Sequence, residues 1–146
     1  MSTSSGYSGT PLPAKLGIRP GHLVALIGAP PGFPALLGEL PGAELYAGLP
    51  EARAAGGGGG WVLDVIAFFT TSRAEYEAEL GTLRSHMAPA CGLWIAYPKR
   101  AAKVPTDMTE HVVREVALPT GLVDNKVCAI DQVWTGIRLV IRRELR

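Results

Sequence analysis

The stretch Trp-Val-Leu-Asp-Val-Ile-Ala-Phe-Phe-Thr-Thr, residues 61–71, limits this chain more than any other. It is rich in β-branched and aromatic residues, the types that favour a pleated, buried strand. It stops at Ser72-Arg73-Ala74-Glu75, where Ser and a Glu three residues on form a capping box that starts a helix. Tyr76, Leu80, Leu83 and Met87 then repeat at helical spacing, and Pro89 and Gly92 end the stripe. A continuous apolar strand feeding a capped helix is the unit of a parallel sheet covered on both faces.

The same alternation runs along the chain. His22–Ile27 is apolar almost throughout and reads as the first strand. A short helix follows near Phe33–Leu40, with Leu36, Leu37 and Leu40 on one face. Residues 44–47 make a second, short strand, and Leu93–Tyr97 another. Asp107 with Glu110 is a second capping-box candidate, opening a helix that carries Val112, Val113 and Val116 and closes at Pro119 and Gly121. Residues 123–130 and 136–143 are two strands joined by the short connection Asp131–Thr135, so they form an antiparallel pair. The reading is a single Rossmann-like three-layer α/β domain over residues 11–146, mostly parallel with an antiparallel C-terminal hairpin. Residues 1–10 are small and polar and are expected to fray. Leu12, Leu16 and Ile18 are placed to fasten residues 11–21 to the body, and Gly56–Gly60 read as a flexible connector.

Composition excludes some functions. With a formal net charge of +1, no global field draws the chain to nucleic acid or an anionic membrane. No apolar run approaches the roughly 18 residues of a membrane span, and residues 1–10 lack the regions of a signal peptide. The expectation is a cytoplasmic protein with no nucleic-acid or membrane partner; the oligomeric state is left open. Cys91 and Cys128 are far apart and read as buried structural thiols. His22, His86 and His111 fall on different elements without metal-ligand spacing, so no metal is expected. Asp64 inside an apolar strand needs a partner if buried. Trp134, in the hairpin connection, either packs over the sheet edge or anchors a partner. No G-x-S-x-G elbow and no G-x-x-x-x-G-K-[ST] loop occurs.

This order of elements resembles the class I methyltransferase fold in shortened form, over roughly residues 15–143; there too the last strand inserts antiparallel. Three segments, YSGTPLPAKLGIRPG (7–21), YPKRAAKVPTD (97–107) and GLVDNKVCAIDQVWTG (121–136), resemble a family of short bacterial proteins of unknown function, mostly actinobacterial. That resemblance implies the same fold and no activity.

In an open α/β sheet, ligands lie beyond the carboxyl ends of the parallel strands. Gly28 and Gly32 after the first strand fit the outline of a turn that a cofactor approaches closely. Pro30 and Pro31 fit it poorly, each lacking an N–H, and suit the first turn of a helix instead. An acid roughly 20 residues on, to hold ribose hydroxyls, is missing: residues 45–49 read Leu-Tyr-Ala-Gly-Leu, with Glu44 early and Glu51 late. S-adenosylmethionine binding is therefore expected to be weak or absent. Four segments should meet at the carboxyl edge: Gly28–Gly32, Thr70–Ser72, Tyr97–Arg100, and the Thr106-Asp107 helix start. The candidate ligand-binding set is Gly28, Pro30, Gly32, Thr70, Ser72, Tyr97, Lys99, Arg100 and Asp107. Lys99, Arg100 and Lys103 make the edge cationic, so the leading reading is a domain that binds an anionic small molecule without demonstrable catalysis. The alternatives are an S-adenosylmethionine-dependent methyltransferase and a protein-interaction module. The cofactor and any catalytic residue are left open.

Overall fold

Strand β3, Leu63–Phe69, is buried at six of its seven positions, as its apolar run requires, and it lies at the heart of the sheet. A computed structural model describes residues 11–40, 42–49 and 62–146. The expected frayed terminus, the glycine run, Glu51 and Trp61 lie outside the described residues. The other strands are β1 (Leu23–Ile27), β2 (Glu44–Ala47), β4 (Met87–Pro98), β5 (Leu122–Ala129) and β6 (Trp134–Ile141). The α-helices are α1 (Leu12–Leu16), α2 (Phe33–Leu37), α3 (Arg73–Ser85) and α4 (Glu110–Ala117).

The six strands form one sheet in the order β2-β1-β3-β4-β6-β5. β2, β1, β3 and β4 pair in parallel, while β6 pairs antiparallel with both β4 and β5. Alternate residues feed two apolar layers. Ala25, Ile66, Phe68, Leu93 and Ile95 meet α3 and α4 on one face, through Tyr76, Leu80, Leu83 and Val113. Val24, Leu26, Val65, Ala67 and Trp94 meet α1 and α2 on the other, through Leu16, Phe33 and Leu37. The domain is a three-layer α/β fold, as its alternating pattern predicts.

Several local features differ from the sequence reading. α1 was not foreseen. Leu16 anchors it in the core, Leu12 and Ile18 pack beside it, and Trp94 Nε1 donates to the Leu16 carbonyl at 3.0 Å. The helix at Phe33 ends at Leu37, where Gly38 takes φ 75°. β4 starts at Met87 rather than Leu93, because Met87 pairs with Leu63 ahead of an irregularity that shifts the register between Leu63 and Val65. Asp64 lies at that shift and accepts the Leu23 amide at 2.9 Å, which gives the half-buried carboxylate its partner. Trp134 opens β6 rather than sitting in the connection, and its ring packs edge-on to Phe69 at 5.3 Å. No helix among the described residues is long and apolar enough to cross a membrane.

Candidate functional site

β1 delivers the chain to Gly28 at the carboxyl edge of the sheet. Gly28 has φ 70°, and a Cβ there would stand 2.8 Å from the Phe69 carbonyl oxygen at the end of β3. Both facts demand glycine: left-handed backbone is costly for an L-residue, and a packed carbonyl has no room to retreat. The chain then turns through Ala29, Pro30 and Pro31. Phe33 N–H donates to the Pro30 carbonyl at 2.9 Å, and Gly32 is the N-cap of α2. The proline in the first turn of α2 is Pro34; Pro30 and Pro31 lie ahead of the cap, in the turn that leads into the helix.

Beside this turn lies a pocket of about 360 Å³, between the ends of β1 and β2. Gly28, Ala29, Pro30 and Pro31 form one wall, with Ala47 and Gly48 opposite. Gly48 N–H donates to the Leu26 carbonyl at 2.8 Å, which holds the end of β2 beside β1. Among the described residues no charged side chain lines the pocket, and its polar groups there are backbone amides and carbonyls. Glu44 stands at the opposite end of β2, where its carboxylate accepts from Tyr46 Oη at 2.6 Å.

The other candidates fall into separate places. Thr70 is buried and its hydroxyl bonds Glu75 and the Ser72 carbonyl, while also accepting the Ser72 amide at 3.0 Å. Ser72 Oγ caps α3, accepting the Glu75 amide at 3.1 Å. Only that half of the expected capping box forms, because the Glu75 carboxylate turns to Thr70 instead. Asp107 does not open the far helix. Thr109 caps α4, accepting the Val112 amide at 3.1 Å, and Asp107 reaches across to the Arg73 amide in the first turn of α3 at 2.7 Å. A carboxylate thus already occupies the positive end of α3.

Tyr97 is buried in the α3–α4 layer. Burial raises its phenol pKa, Glu110 adds to the rise and Arg114 opposes it. Lys99 follows β4, its amide held by the Val133 carbonyl at 2.7 Å, and Arg100 is exposed on a short 3-10 turn. Neither Lys99 nor Arg100 lines the β1–β2 pocket. Of the candidate set, only Gly28 and Pro30 share that pocket. Ala47 and Gly48 stand outside the candidate set, since only their place at the end of β2 marks them. Among the described residues, no group of three or more His, Cys, Asp or Glu stands together to hold a metal ion.

No protein-family model matches the chain, and no curated relative matches it. Solved structures do. An S-adenosylmethionine-dependent methyltransferase from Aquifex aeolicus is 16% identical, with a TM-score of 0.53 over 88% of this chain and 87% of that one. Magnesium protoporphyrin IX methyltransferase from Synechocystis, with bound S-adenosylmethionine, gives 12% and 0.57 over 89% and 74%. Fibrillarin from Aeropyrum pernix, with natively bound S-adenosyl-L-methionine, gives 15% and 0.55 over 92% and 70%.

The fold is that of the class I methyltransferases.

This finding overturns the leading sequence reading, a non-catalytic binder of anionic small molecules, and favours its methyltransferase alternative. Lys99, Arg100 and Lys103, the cations behind the anion-binding expectation, do not line the pocket.

Proposed function

We propose that the chain is an S-adenosylmethionine-dependent methyltransferase, with the cofactor seated in the β1–β2 pocket. The observation that carries this reading is the position of that pocket, at the carboxyl ends of the two adjacent strands where α/β sheets take their ligands. Two features fit the group. Gly28 and Gly48 bring bare backbone to the pocket, and about 360 Å³ falls within the roughly 300–1,000 Å³ of small-molecule sites. Gly28 and Ala29 would hold the cofactor from one side, Ala47 and Gly48 from the other. When bound, S-adenosylmethionine supplies an electrophilic methyl group. The chain's own part is to hold it through backbone groups and to shield it from water with Pro30, Pro31 and Pro34. With Ala47-Gly48-Leu49 at the end of β2, ribose hydroxyls meet no carboxylate from the described residues, so binding rests on shape and main-chain hydrogen bonds.

The short bacterial family suggested by segments 7–21, 97–107 and 121–136 remains part of this proposal, as does a cytoplasmic setting. The test is calorimetric titration of S-adenosylmethionine into wild type and Ala47→Phe, whose ring at the exposed end of β2 would fill the pocket. Saturable heat in wild type that the variant loses supports the reading; no heat in wild type at millimolar cofactor rejects it.

A further inference from the structure

Far from the β1–β2 pocket, the end of α1 and the β5–β6 pair enclose a second concavity of about 190 Å³. Its lining is Ala14, Lys15, Gly17, Asn125, Lys126 and Arg138, and it shares no residue with the first pocket. Lys126 and Arg138 are register partners across β5 and β6. Like charges directly opposite one another weaken a sheet. Neither has a carboxylate partner among the described residues; the ion pairs there involve other groups.

Arg138 is placed with care for a residue so poorly matched. A Cβ on Gly92 would stand 2.9 Å from its Cζ and Nη2, so the guanidinium lies directly over Gly92 of β4 and would have to shift if that residue carried a side chain. Arg138 is half-buried, and desolvation lowers its pKa, with Arg146 adding to the effect. Its hydrogen-bond partner is the neutral Asn125 Oδ1, at 3.3 Å. A guanidinium has five N–H donors, so most of its capacity is unused by that bond. Lys126 Nζ donates to the Lys15 carbonyl at 3.2 Å, which joins β5 to the end of α1 and leaves two of its three donors.

Taking the Arg138 guanidinium part-way out of water is costly unless an anion compensates it, and the exposed Lys126 stands directly opposite. A tetrahedral oxyanion meets this need, since it accepts from an arginine fork and a lysine at once. About 190 Å³ is below the usual small-molecule range and holds about six water volumes, room within the concavity for one phosphate group and its waters.

We propose that Arg138, Lys126 and Asn125 form a binding site for a single phosphate-class oxyanion, wedged between α1 and the β5–β6 pair. The anion neutralises the opposed cations and ties the N-terminal helix to the far side of the sheet. The site does not depend on methyl transfer, and either proposal can fail alone.

Thermal unfolding of the full chain tests it, with sodium phosphate titrated against sodium chloride at equal ionic strength. Phosphate is expected to raise Tm saturably by several degrees where chloride does not. Lys126→Ala should weaken phosphate roughly tenfold or more, as loss of a charge-assisted hydrogen bond implies. Arg138→Gln should abolish the response. If Arg138→Gln does not fold, Lys126→Ala decides, because Lys126 is exposed on an edge strand. A sugar phosphate that binds as well as inorganic phosphate, or better, supports the site and tells free ion from phosphomonoester. A chloride effect equal to that of phosphate overturns the proposal, as does a phosphate response unchanged in Lys126→Ala. So does a single-stranded oligonucleotide that binds far more tightly than phosphate with a salt slope of several phosphates, since the cations would then belong to a nucleic-acid face.

Discussion

Gly28→Ala separates a turn that merely tolerates glycine from one that requires it. Alanine at φ 70° costs roughly 1–2 kcal/mol from its Cβ alone. That Cβ would also stand 2.8 Å from the Phe69 carbonyl oxygen, which is backbone at the end of the central strand and has little freedom to withdraw. Overpacking of this kind costs about 1–3 kcal/mol. Reduced freedom of the unfolded chain returns about 0.4–1 kcal/mol. The net loss is about 1–5 kcal/mol, a large share of the roughly 5–15 kcal/mol of a typical domain. Gly32→Ala is the control. Gly32 has φ −87° and nothing within 4 Å of a built Cβ, so its change should stay below about 1 kcal/mol. Urea unfolding of the three proteins, followed by circular dichroism, measures both. Equal midpoints for Gly28→Ala and Gly32→Ala, with unchanged slopes, would refute the argument that the turn is closed against β3.

Thr109→Ala should cost about 1 kcal/mol through loss of the α4 cap, and it should do so whether or not Asp107 is present, which a double-mutant cycle in urea checks. Asp107→Ala should instead loosen the start of α3, seen as faster amide exchange at Arg73, while Asp107→Asn keeps the acceptor and should have less effect. Burial pushes the Cys91 thiol from 9.0 up to about 12, with Asp64 adding to the rise. The folded state then holds this proton more tightly than the unfolded state. Its stabilising contribution is complete below about pH 9 and is lost as pH rises towards 12. Wild type should lose stability over that window more steeply than Cys91→Ala.

The sheet was legible in sequence because burial on two faces leaves continuous apolar runs. Residues 61–71 and 22–27 show them, and the clean alternation of Ile137, Leu139 and Ile141 marks β6. What escaped has physical reasons. α1 has five residues, too few for a helical period, and sits among prolines that suit a first turn but read as breakers. The start of β4 was hidden because Pro89 signals an ending and two of its first four residues are exposed. Asp107 and Thr109 are both competent caps two residues apart, and only the tertiary position of Arg73 draws the aspartate away. The candidate site was half legible. Gly28 and Pro30 follow a strand and mark a turn, whereas Ala47 and Gly48 become site residues only when β2 is laid beside β1. Lys99 and Arg100 drew attention as charges, but the pocket itself is built from backbone, which leaves no charge pattern in sequence.

The cofactor proposal is tested most directly by calorimetric titration of S-adenosylmethionine into wild type and Ala47→Asp. Ala47 is exposed, lines the β1–β2 pocket and ends β2, the place from which a carboxylate reaches ribose hydroxyls. A charge-assisted hydrogen bond there is worth about 1.5–3 kcal/mol. The account predicts saturable binding in wild type and affinity at least roughly tenfold tighter in Ala47→Asp, since 1.4 kcal/mol is a factor of about ten. Absence of binding in both proteins, or wild-type binding that Ala47→Asp leaves unchanged or weakens, would contradict a cofactor seated between β1 and β2.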